Sequence, residues 1–577
     1  MKYYLSLLLI TISFVSSGQI NILSTNATAE DIMLGDYDPA DYVAGIVIDN
    51  HDDIIQGINE RINSDSLKSY LLQMSSFVNR NTGSDTISDT QGIGAARRWA
   101  YGKFEEFSAV HDNRLIPSYL QFDQAICSMN QHRNIFAVLP GANVDNNEVI
   151  IIEAHFDSRC GGACDIECDA HGMEDNGSGS ALVLELARVM SRFTFENTFV
   201  FMLTIGEEQG LYGSNAFSQY AVDNEMPIKA VLNNDVIGGV ICGETSSAPS
   251  CPGLNEIDST QVRFFSEGGF NSRNKQLARF IKLQYQEELL PIVAVPMLLT
   301  VMSAEDRAGR GGDHIPFRQD GFTAMRFTSA HEHGDASGGV DYHDRQHTTD
   351  DILGVDTDGD LELDSFFVDF NYLARNAVIN GVGAAMIANG PRPCDFLIET
   401  FSGPGIIIRI TEETEYENYR VGLRTVTNDW DSVYVLEGSL DTIYPPESDN
   451  YIISVASVDE VGIESLFSHE IAFVNDELSL NEISNRSEPI ELMQNRPNPF
   501  DEATIITVRV KEELSYKSAY ISIRDIQGRE VERISIELSG EVNEVVYHHG
   551  YGKVGVYTYA LVIDGEEFGV KRMVFAN

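Results

Sequence analysis

The fold is decided by the stretch Asn147-Glu-Val-Ile-Ile-Ile-Glu-Ala-His-Phe-Asp157. Its run of β-branched residues predicts a strand that is buried on both faces. His155 and Asp157 follow where that strand is expected to end. A sheet of such strands is covered by helices, and it binds ligands outside the carboxyl ends of its strands. The stretch therefore predicts an α/β domain with a polar site at one edge of the sheet.

Three later segments place more polar residues at the same edge. Glu174-Asp-Asn-Gly-Ser-Gly179 is a glycine-rich loop that opens an apolar-periodic helix. A second buried strand ends in Gly206-Glu-Glu-Gln-Gly210, and a third apolar run ends in Asn233-Asn-Asp235. Because the carboxyl ends of parallel strands meet at one edge, we expect these carboxylates to converge on the His155 ring. One imidazole with several carboxylates suits zinc in a hydrolase.

Composition limits the classes of partner. The chain has 577 residues, with 88 acidic and 39 basic side chains and a formal net charge of −49. Nucleic acid and anionic membranes are therefore not expected partners. Residues 1–18 predict a secretory signal peptide, because Lys2 precedes an apolar core that is too short to span a bilayer. No other segment predicts a transmembrane helix, so we expect an extracellular protein.

The pattern along the chain predicts several units. Residues 19–50 have little periodicity and are expected to form an N-terminal arm or a short propeptide. Strands and helices alternate through 51–393, which predicts a mostly parallel sheet flanked by helices. Short alternating strands predict a small β-sandwich over 394–475. A polar linker, 476–490, then precedes a second all-β unit over 491–577.

Seven cysteines indicate disulfides in an exported chain. Cys242 and Cys251 flank a Ser/Pro-rich loop and are predicted to pair. Cys160, Cys164 and Cys168 lie in the segment that precedes the glycine-rich loop. We expect a disulfide-stapled insertion there. A separate cysteine metal site is the alternative, although the spacing fits no standard zinc module.

The polar residues at the sheet edge suit a two-metal site. Two zinc ions can polarise a carbonyl and activate one water together, which requires a bridging carboxylate and terminal ligands. Four such ligands are available at strand ends, and a further histidine is needed from later in the chain. Glu207 and Glu208 point opposite ways on an extended strand, so one is expected to bind metal and the other to act as general base. Spacing alone leaves both assignments open.

Five motifs occur in one order: His-x-Asp, Asp-Asn-Gly-x-Gly, Gly-Glu-Glu-x-Gly, Asn-Asp and His-Thr-x-x-Asp. This order resembles the co-catalytic di-zinc aminopeptidases, a family that includes bacterial leucyl aminopeptidases and aminopeptidase Y. The resemblance covers residues 55–390 and implies a zinc exopeptidase fold with two Zn²⁺ ions per chain. One zinc would be held by His155, Asp175 and Asp235. The other would be held by Asp175, Glu208 and His347.

The resemblance also implies the remaining roles. Glu207 would be the general base, and Asp157 would orient the first histidine. A cis peptide bond is implied after Asp175. His343 competes with His347 for the last ligand position, because it follows a tyrosine as in the family. His347 is preferred because it begins the His-Thr-x-x-Asp motif.

Two resemblances concern the C-terminal units. Segment 441–461, with Tyr451 as a tyrosine corner, resembles the late strands of a fibronectin type III domain, which implies a spacer or adhesive module. Three segments resemble in order the C-terminal sorting domain of the type IX secretion system: Gln494-Asn-Arg-Pro-Asn-Pro-Phe500, Asp525-Ile-Gln-Gly-Arg529 and Gly555-Val-Tyr557. This resemblance implies export through the periplasm and outer membrane, with the type IX machinery as a partner. The product would be secreted or held at the cell surface.

The sequence therefore predicts a secreted zinc aminopeptidase that acts on peptides with free N-termini. A carboxypeptidase of the same fold is one alternative, because Arg310, Arg318 and Arg326 offer cations for a substrate carboxylate. A glutaminyl cyclase-like enzyme is a second, and it would keep one zinc. The third is a non-catalytic adhesin on a peptidase scaffold, which would have no need of Glu207.

Overall fold

The computed structural model describes residues 19–575 apart from 145–146, 242–255, 308–309, 331–344, 400–404, 412–415, 427, 446–450, 474–489, 497, 499, 501–502, 512–514, 526–527, 540–541 and 550–554. The predicted signal peptide, the Cys242–Cys251 pair and His343 lie outside the described residues. Most of the predicted linker does as well.

The helices of the described chain are α1 (Ala27–Leu34), α2 (His51–Arg61), α3 (Ser64–Ser75), α4 (Gly92–Val110), α5 (Gly179–Met190), α6 (Tyr212–Asp223), α7 (Arg273–Gln284), α8 (His314–Gln319) and α9 (Phe370–Asn389). Shorter helical turns cover Pro39–Tyr42, Met173–Ser178 and Tyr285–Leu289. Side-chain caps set several helix starts; in α9, the Asp369 carboxylate accepts from the N–H groups of Asn371 and Tyr372, both at 2.9 Å. None of the described helices is long and apolar enough to span a lipid bilayer.

One large sheet organises the α/β domain. Its strands are β1 (Ile20–Ser24), β2 (Ile116–Ile126), β3 (Met129–Leu139), β4 (Val149–His155), β5 (Thr198–Thr204), β6 (Ile228–Asn234), β7 (Gln261–Phe265), β8 (Leu298–Val301) and β9 (Ala324–Ser329). Their order across the sheet is β1-β2-β3-β5-β4-β6-β9-β7-β8. Every residue of β4 and β5 is buried, as a strand covered on both faces requires. A further short pair, β10 (Gly354–Val355) and β11 (Ser365–Phe366), lies outside this sheet.

The sheet is mixed, so the prediction of a mostly parallel sheet is wrong for its flanks. The central strands β5, β4, β6 and β9 are parallel neighbours. Antiparallel pairing joins β1 to β2, β2 to β3 and β3 to β5 at one flank, and it joins β9 to β7 at the other. The physical reason at one flank is a hairpin, since only Cys127 and Ser128 separate β2 from β3. The α/β class, a sheet with helices packed on it, is confirmed.

The segment predicted as an arm or propeptide joins this sheet. Its strand β1 pairs with β2 at the outer edge. Ile32 and Met33 of α1 are fully buried in the main hydrophobic core. The segment therefore belongs to the folded α/β domain, and its removal as a propeptide stays a prediction.

Beyond α9 the described residues form two pairs of antiparallel sheets. The first pair comprises β12 (Phe396–Glu399), β13 (Ile406–Ile410), β14 (Asn418–Arg424), β15 (Ser432–Glu437), β16 (Leu440–Ile443), β17 (Tyr451–Val458) and β18 (Ile471–Phe473). The second pair comprises β19 (Ile490–Leu492), β20 (Ala503–Val510), β21 (Ala519–Arg524), β22 (Glu530–Ser535), β23 (Val542–His548), β24 (Gly555–Ile563) and β25 (Glu566–Phe575). Each pair encloses a hydrophobic core of its own. These sheets agree with two additional β-rich units, while the fibronectin and sorting identities and the unit boundaries stay predictions.

The first β-rich unit docks on helix α7. The buried Glu470 carboxylate accepts hydrogen bonds from Arg424 Nε at 2.7 Å and from Arg279 Nη1 of α7 at 3.4 Å. Phe467 joins the main hydrophobic core of the α/β domain. A buried charge cluster that spans both units stabilises their contact, because separating them would remove Arg279 from the buried Glu470 carboxylate.

Candidate metal centre

Strand β4 delivers a histidine to the edge of the sheet. His155 is the last residue of β4, and its Nε2 lies 3.0 Å from Asp175 Oδ1 and 3.3 Å from Asp235 Oδ1. Asp235 directly follows β6, the parallel neighbour of β4. The ends of two parallel strands and the turn Met173–Ser178 thus bring together three of the five predicted ligands.

Asp175 lies between two histidines. Its Oδ1 is 3.0 Å from His155 Nε2, and its Oδ2 is 3.0 Å from His347 Nε2. The peptide bond after it, Asp175–Asn176, is cis, as the resemblance implied. Asn176 anchors the loop to β6, because its Nδ2 donates to the Asn234 carbonyl at 2.8 Å. The two carboxylate oxygens of Asp175 consequently face two different sites.

Glu208 and His347 form the other side of the centre. Glu208 Oε2 lies 3.2 Å from His347 Nε2. The second oxygen, Glu208 Oε1, is buried and has no hydrogen-bond partner among the described residues. A buried carboxylate oxygen without a partner is costly, and a bound cation would satisfy it.

These side chains form two adjoining groups that suit cations. In each group the ligand atoms lie within 4.8 Å of one another: His155, Glu207 and Asp235 in one, and Asp175, Glu208 and His347 in the other. We call them the strand site and the loop site, with Asp175 between them. Imidazole nitrogens and carboxylate oxygens are the donors that zinc takes in hydrolases. The donor set and the unsatisfied Glu208 oxygen therefore fit zinc.

Negative charge dominates the centre. Burial opposes a charged imidazole, but nearby carboxylates, above all Glu207, raise the pKa of His155 well above its usual value. Burial also opposes a charged ring at His347, but the carboxylates of Glu208 and Asp175 raise the pKa of His347 to about 10. Burial raises the pKa of Glu207 well above its usual value, with His155 opposing the shift. A divalent cation would offset this excess of carboxylates.

Asp157 makes different contacts from those the resemblance implied. His155 Nδ1 hydrogen bonds to the backbone carbonyl of Asp157 at 3.1 Å, while the Asp157 carboxylate lies 3.7 Å from that nitrogen. The carboxylate instead accepts from the backbone N–H groups of Glu207 and Glu208, each at 3.3 Å. Asp157 thus orients His155 through its backbone and holds the Glu207–Glu208 turn through its side chain.

Two N-terminal residues that the sequence did not single out support this region. Arg80 is fully buried, and it donates from Nε to the Phe156 carbonyl at 3.0 Å and from Nη2 to the Gly172 carbonyl at 2.9 Å. Thr82 donates to Asp157 Oδ2 at 3.0 Å. Arginine is seldom fully buried, so no sequence pattern marked Arg80.

Asp351 ties the two ligand loops together. Its carboxylate accepts from the backbone N–H groups of Glu174 at 2.8 Å and of Asp175 at 3.1 Å. Asp351 is the last residue of the His-Thr-x-x-Asp motif that begins at His347. The motif therefore carried a signal for a residue that positions the bridging loop.

Two arginines also touch the predicted ligands. Arg326 of β9 is fully buried, and its Nη2 lies 3.2 Å from Asp235 Oδ2. Its Nη1 donates to Asp306 Oδ1 at 2.9 Å. Arg159 Nε lies 2.9 Å from Glu208 Oε2. Each site therefore has one arginine beside a ligand carboxylate.

The insertion between β4 and the bridging loop is stapled by disulfides, as expected. Cys160 pairs with Cys168, and Cys164 pairs with Cys127 at the turn between β2 and β3. The second bond ties the insertion to the hairpin at the flank of the sheet. The cysteine thiols are thus used in disulfides rather than in a separate metal site.

Comparisons with known proteins agree with this chemistry. The profile described as "Peptidase family M28" matches residues 134–250. A "probable zinc metalloprotease" of Pyrenophora tritici-repentis is 30% identical over 354 residues, which cover 59% of this chain and 77% of that protein. A second probable zinc metalloprotease, from Pyricularia oryzae, is 32% identical over 330 residues, which cover 55% of this chain and 62% of that protein.

Solved structures of lower similarity were also found. The LapA aminopeptidase of Legionella pneumophila is 19% identical, with a TM-score of 0.43, and covers 60% of this chain and 78% of its own. A glutaminyl cyclase from an Acidobacteriales bacterium is 16% identical, with a TM-score of 0.38, and covers 57% of this chain and 95% of its own. Both are too distant to bear on the activity of this chain.

The family therefore follows from the sequence relatives and the family profile. His155, Asp175, Glu208 and Asp235 lie within the region that the profile matches, and His347 lies C-terminal to it. The chain belongs to peptidase family M28 and is a zinc-dependent peptidase.

Proposed function

We propose that this peptidase is an aminopeptidase that holds two zinc ions. His155, Asp175 and Asp235 would hold one, and Asp175, Glu208 and His347 the other. The observation that carries the proposal is the position of Asp175, whose two oxygens each lie 3.0 Å from a different histidine Nε2. A carboxylate so placed is suited to bridge two metals.

The residues of the chain would divide the remaining work. Bound zinc supplies a polarised carbonyl and a water of lowered pKa. Glu207 takes the proton of the attacking water and passes it to the leaving amine nitrogen, as the new C–O bond replaces the C–N bond. Because burial raises the pKa of Glu207, it is a stronger base than an ordinary glutamate. Asp157 keeps Glu207 in place through the backbone N–H group of Glu207.

The contacts of the three candidate arginines favour a substrate that is recognised by its N-terminal ammonium over one recognised by its carboxylate. The cations that would support a carboxypeptidase have other partners. Arg318 Nε donates to Glu305 at 2.6 Å, and Arg326 is fully buried between Asp235 and Asp306. Arg310 donates to Gln346 at 3.2 Å. These contacts support the aminopeptidase over the carboxypeptidase.

The two remaining alternatives receive less support. A glutaminyl cyclase-like enzyme would need one zinc, whereas the loop site has a ligand set of its own. A non-catalytic adhesin has no need of the half-buried Glu207 beside His155 and Asp235.

The test is a panel of aminoacyl-nitroanilides with the full chain, with and without chelator. Glu207→Gln should lower kcat by about 10²- to 10⁴-fold while zinc content stays unchanged, because the amide accepts no proton. Glu105→Gln, at an exposed position of α4, is the matched control. Zinc-loaded protein that cleaves N-terminally blocked peptides from the C-terminus, and none of the aminoacyl-nitroanilides, would overturn the proposal.

We also propose that the enzyme is exported and that residues 491–577 address it to the type IX machinery. The sequence motifs of that segment support this route. Deletion of the segment in a host that carries the machinery should retain the peptidase inside the cell, as measured by activity in cell fractions. Unchanged export of the truncated chain would contradict it.

A further inference from the structure

Arg159 lies at the loop site, and the proposed function gives it no role. Its Nε is 2.9 Å from Glu208 Oε2, and its Nη2 is 2.5 Å from His347 Nδ1. The side chain is 24% exposed, whereas that of Arg326 at the strand site is fully buried. Arg159 is therefore the ligand-contacting arginine that a substrate can reach.

The guanidinium is held by a rigid segment. Arg159 precedes Cys160, which is bonded to Cys168, and Cys164 of the same insertion is bonded to Cys127. Gln209, the residue after Glu208, donates to the carbonyl of Ala163 at 2.7 Å. The insertion is thereby fixed against the loop that carries Glu208. A donor fixed in this way costs little reorganisation during a reaction.

Donors of Arg159 are available for a substrate. A guanidinium has five N–H donors, and no described residue accepts a hydrogen bond from Nη1 of Arg159. His347 directs Nε2 toward Asp175 and Glu208. Nη1 of Arg159 is therefore the donor that is open to a substrate.

We propose that Arg159 is a catalytic residue that donates a hydrogen bond to the scissile carbonyl oxygen as negative charge develops there. The proposal rests on the peptide hydrolysis described above. As the water oxygen bonds to the carbonyl carbon, the π electron pair moves onto the carbonyl oxygen and Glu207 takes the water proton. When that pair returns, the C–N bond breaks and the proton passes from Glu207 to the leaving nitrogen. Arg159 keeps its protons throughout.

Kinetics of matched arginine variants test this role. Arg159→Gln should lower kcat by about 10²- to 10³-fold with little change in KM, the usual effect of losing one donor to a developing charge. Arg159→Lys should retain part of the activity, and added guanidinium ion should restore part of that of Arg159→Gln. Arg310→Gln, which removes another partly buried cation, should leave kcat within about threefold, as expected of a residue outside the reaction.

Binding provides a readout that does not depend on turnover. A phosphinate peptide analogue, which carries a tetrahedral anion at the scissile position, should bind Arg159→Gln about 10²-fold more weakly than the parent in calorimetry. A neutral amide of the same sequence should bind both proteins alike. Zinc content and melting temperature should match those of the parent, which separates lost catalysis from lost folding.

Three outcomes would overturn the proposal: Arg159→Gln with kcat within threefold of the parent, equal phosphinate affinities, or a defect confined to peptides with a free C-terminal carboxylate. The last would make Arg159 a reader of that carboxylate. If the parent cleaves no free-amine substrate, the aminopeptidase proposal fails separately. The phosphinate measurement would then still test the role of Arg159, because it does not depend on aminopeptidase activity.

Discussion

The strand site and the loop site share Asp175 but are built differently. At the strand site, His155 and Asp235 stand at the ends of parallel strands, and the fully buried Arg326 backs them. At the loop site, His347 is 17% exposed, and its neighbour Arg159 belongs to a disulfide-stapled insertion. The sheet fixes one set of ligands, whereas covalent staples and side-chain contacts fix the other.

Because of this difference, the two sites should respond differently to mutation. Removing a charged group from the strand site should destabilise the fold, because its charges are buried together. Removing a support of the loop site should weaken metal binding while the fold persists. The following changes test that division, beginning with the residue common to both sites.

Asp175→Asn should have the largest effect, because the amide removes the charge shared by both sites. We expect peptidase activity to be abolished and bound zinc to fall below two per chain, measured by elemental analysis of the purified protein. Asp358→Asn, in an exposed acidic turn, is the control. A variant with two zincs and parental activity would show that Asp175 does not bridge.

Arg326→Met should destabilise the fold. It removes the buried cation that contacts both Asp235 and Asp306, which should lower the free energy of unfolding by about 3–5 kcal/mol. Urea denaturation of chelator-treated protein measures it. Arg318→Met removes only a partly exposed pair with Glu305 and should change the same quantity by less than about 1 kcal/mol. Equal losses in both variants would contradict a buried charge network at the strand site.

Cys160→Ser combined with Cys168→Ser should affect the loop site alone. Freed from its staple, the insertion no longer holds the Glu208 loop through the Gln209–Ala163 hydrogen bond, and we expect affinity for the second zinc to fall by about 10- to 100-fold. Calorimetric titration of zinc into the apoprotein resolves the two binding events. The first event, at the strand site, should be unchanged. Weakening of both would refute the proposed independence of the sites.

The pH dependence of stability should report on Asp313, which lies near the strand site. Burial raises its pKa to about 6, although hydroxyls of Ser214 and Thr204 oppose the shift. The folded protein thus keeps this proton up to about pH 6, whereas the unfolded chain loses it near pH 4. The stability that protonated Asp313 contributes to the folded state is fully present below about pH 4 and is lost as the pH rises through 6.

Asp313→Asn should therefore lose less unfolding free energy than the parent as the pH rises from 4 to 7. The difference in unfolding free energy between parent and variant should change by about 1–3 kcal/mol between pH 4 and 7, measured on chelator-treated protein. Asp320→Asn, near the surface end of α8, should leave the slope unchanged. If the unfolding free energies of the parent and Asp313→Asn change equally with pH, the raised pKa of Asp313 is contradicted.

The same difference explains what the sequence predicted. The ligands at strand ends, His155 and Asp235, follow from buried strand patterns, since a sheet places such ends together. His347 came only through a motif resemblance, because a loop residue has no periodicity that places it. Arg80, which closes the base of the insertion, lies 76 residues before Phe156 and was missed. Contacts across such distances leave no local pattern.

The sheet itself was predicted in part. The buried runs of β4 and β5 indicated a covered sheet, and the structure has it. The antiparallel flanks were missed because a hairpin such as β2–β3 differs from a crossover only in the short turn between its strands. The docking of the first β-rich unit was also unexpected, since the buried pairing of Glu470 with Arg279 joins residues 191 positions apart.

The proposed bridging of two zinc ions by Asp175 can be observed in a crystal. Anomalous diffraction at the zinc edge from crystals of the full chain tests it most directly. If Asp175 bridges two ions, two zinc peaks should lie about 3.5–4 Å apart, one beside each of its oxygens. A single peak at His155 and Asp235, with none at Glu208 and His347, would contradict it.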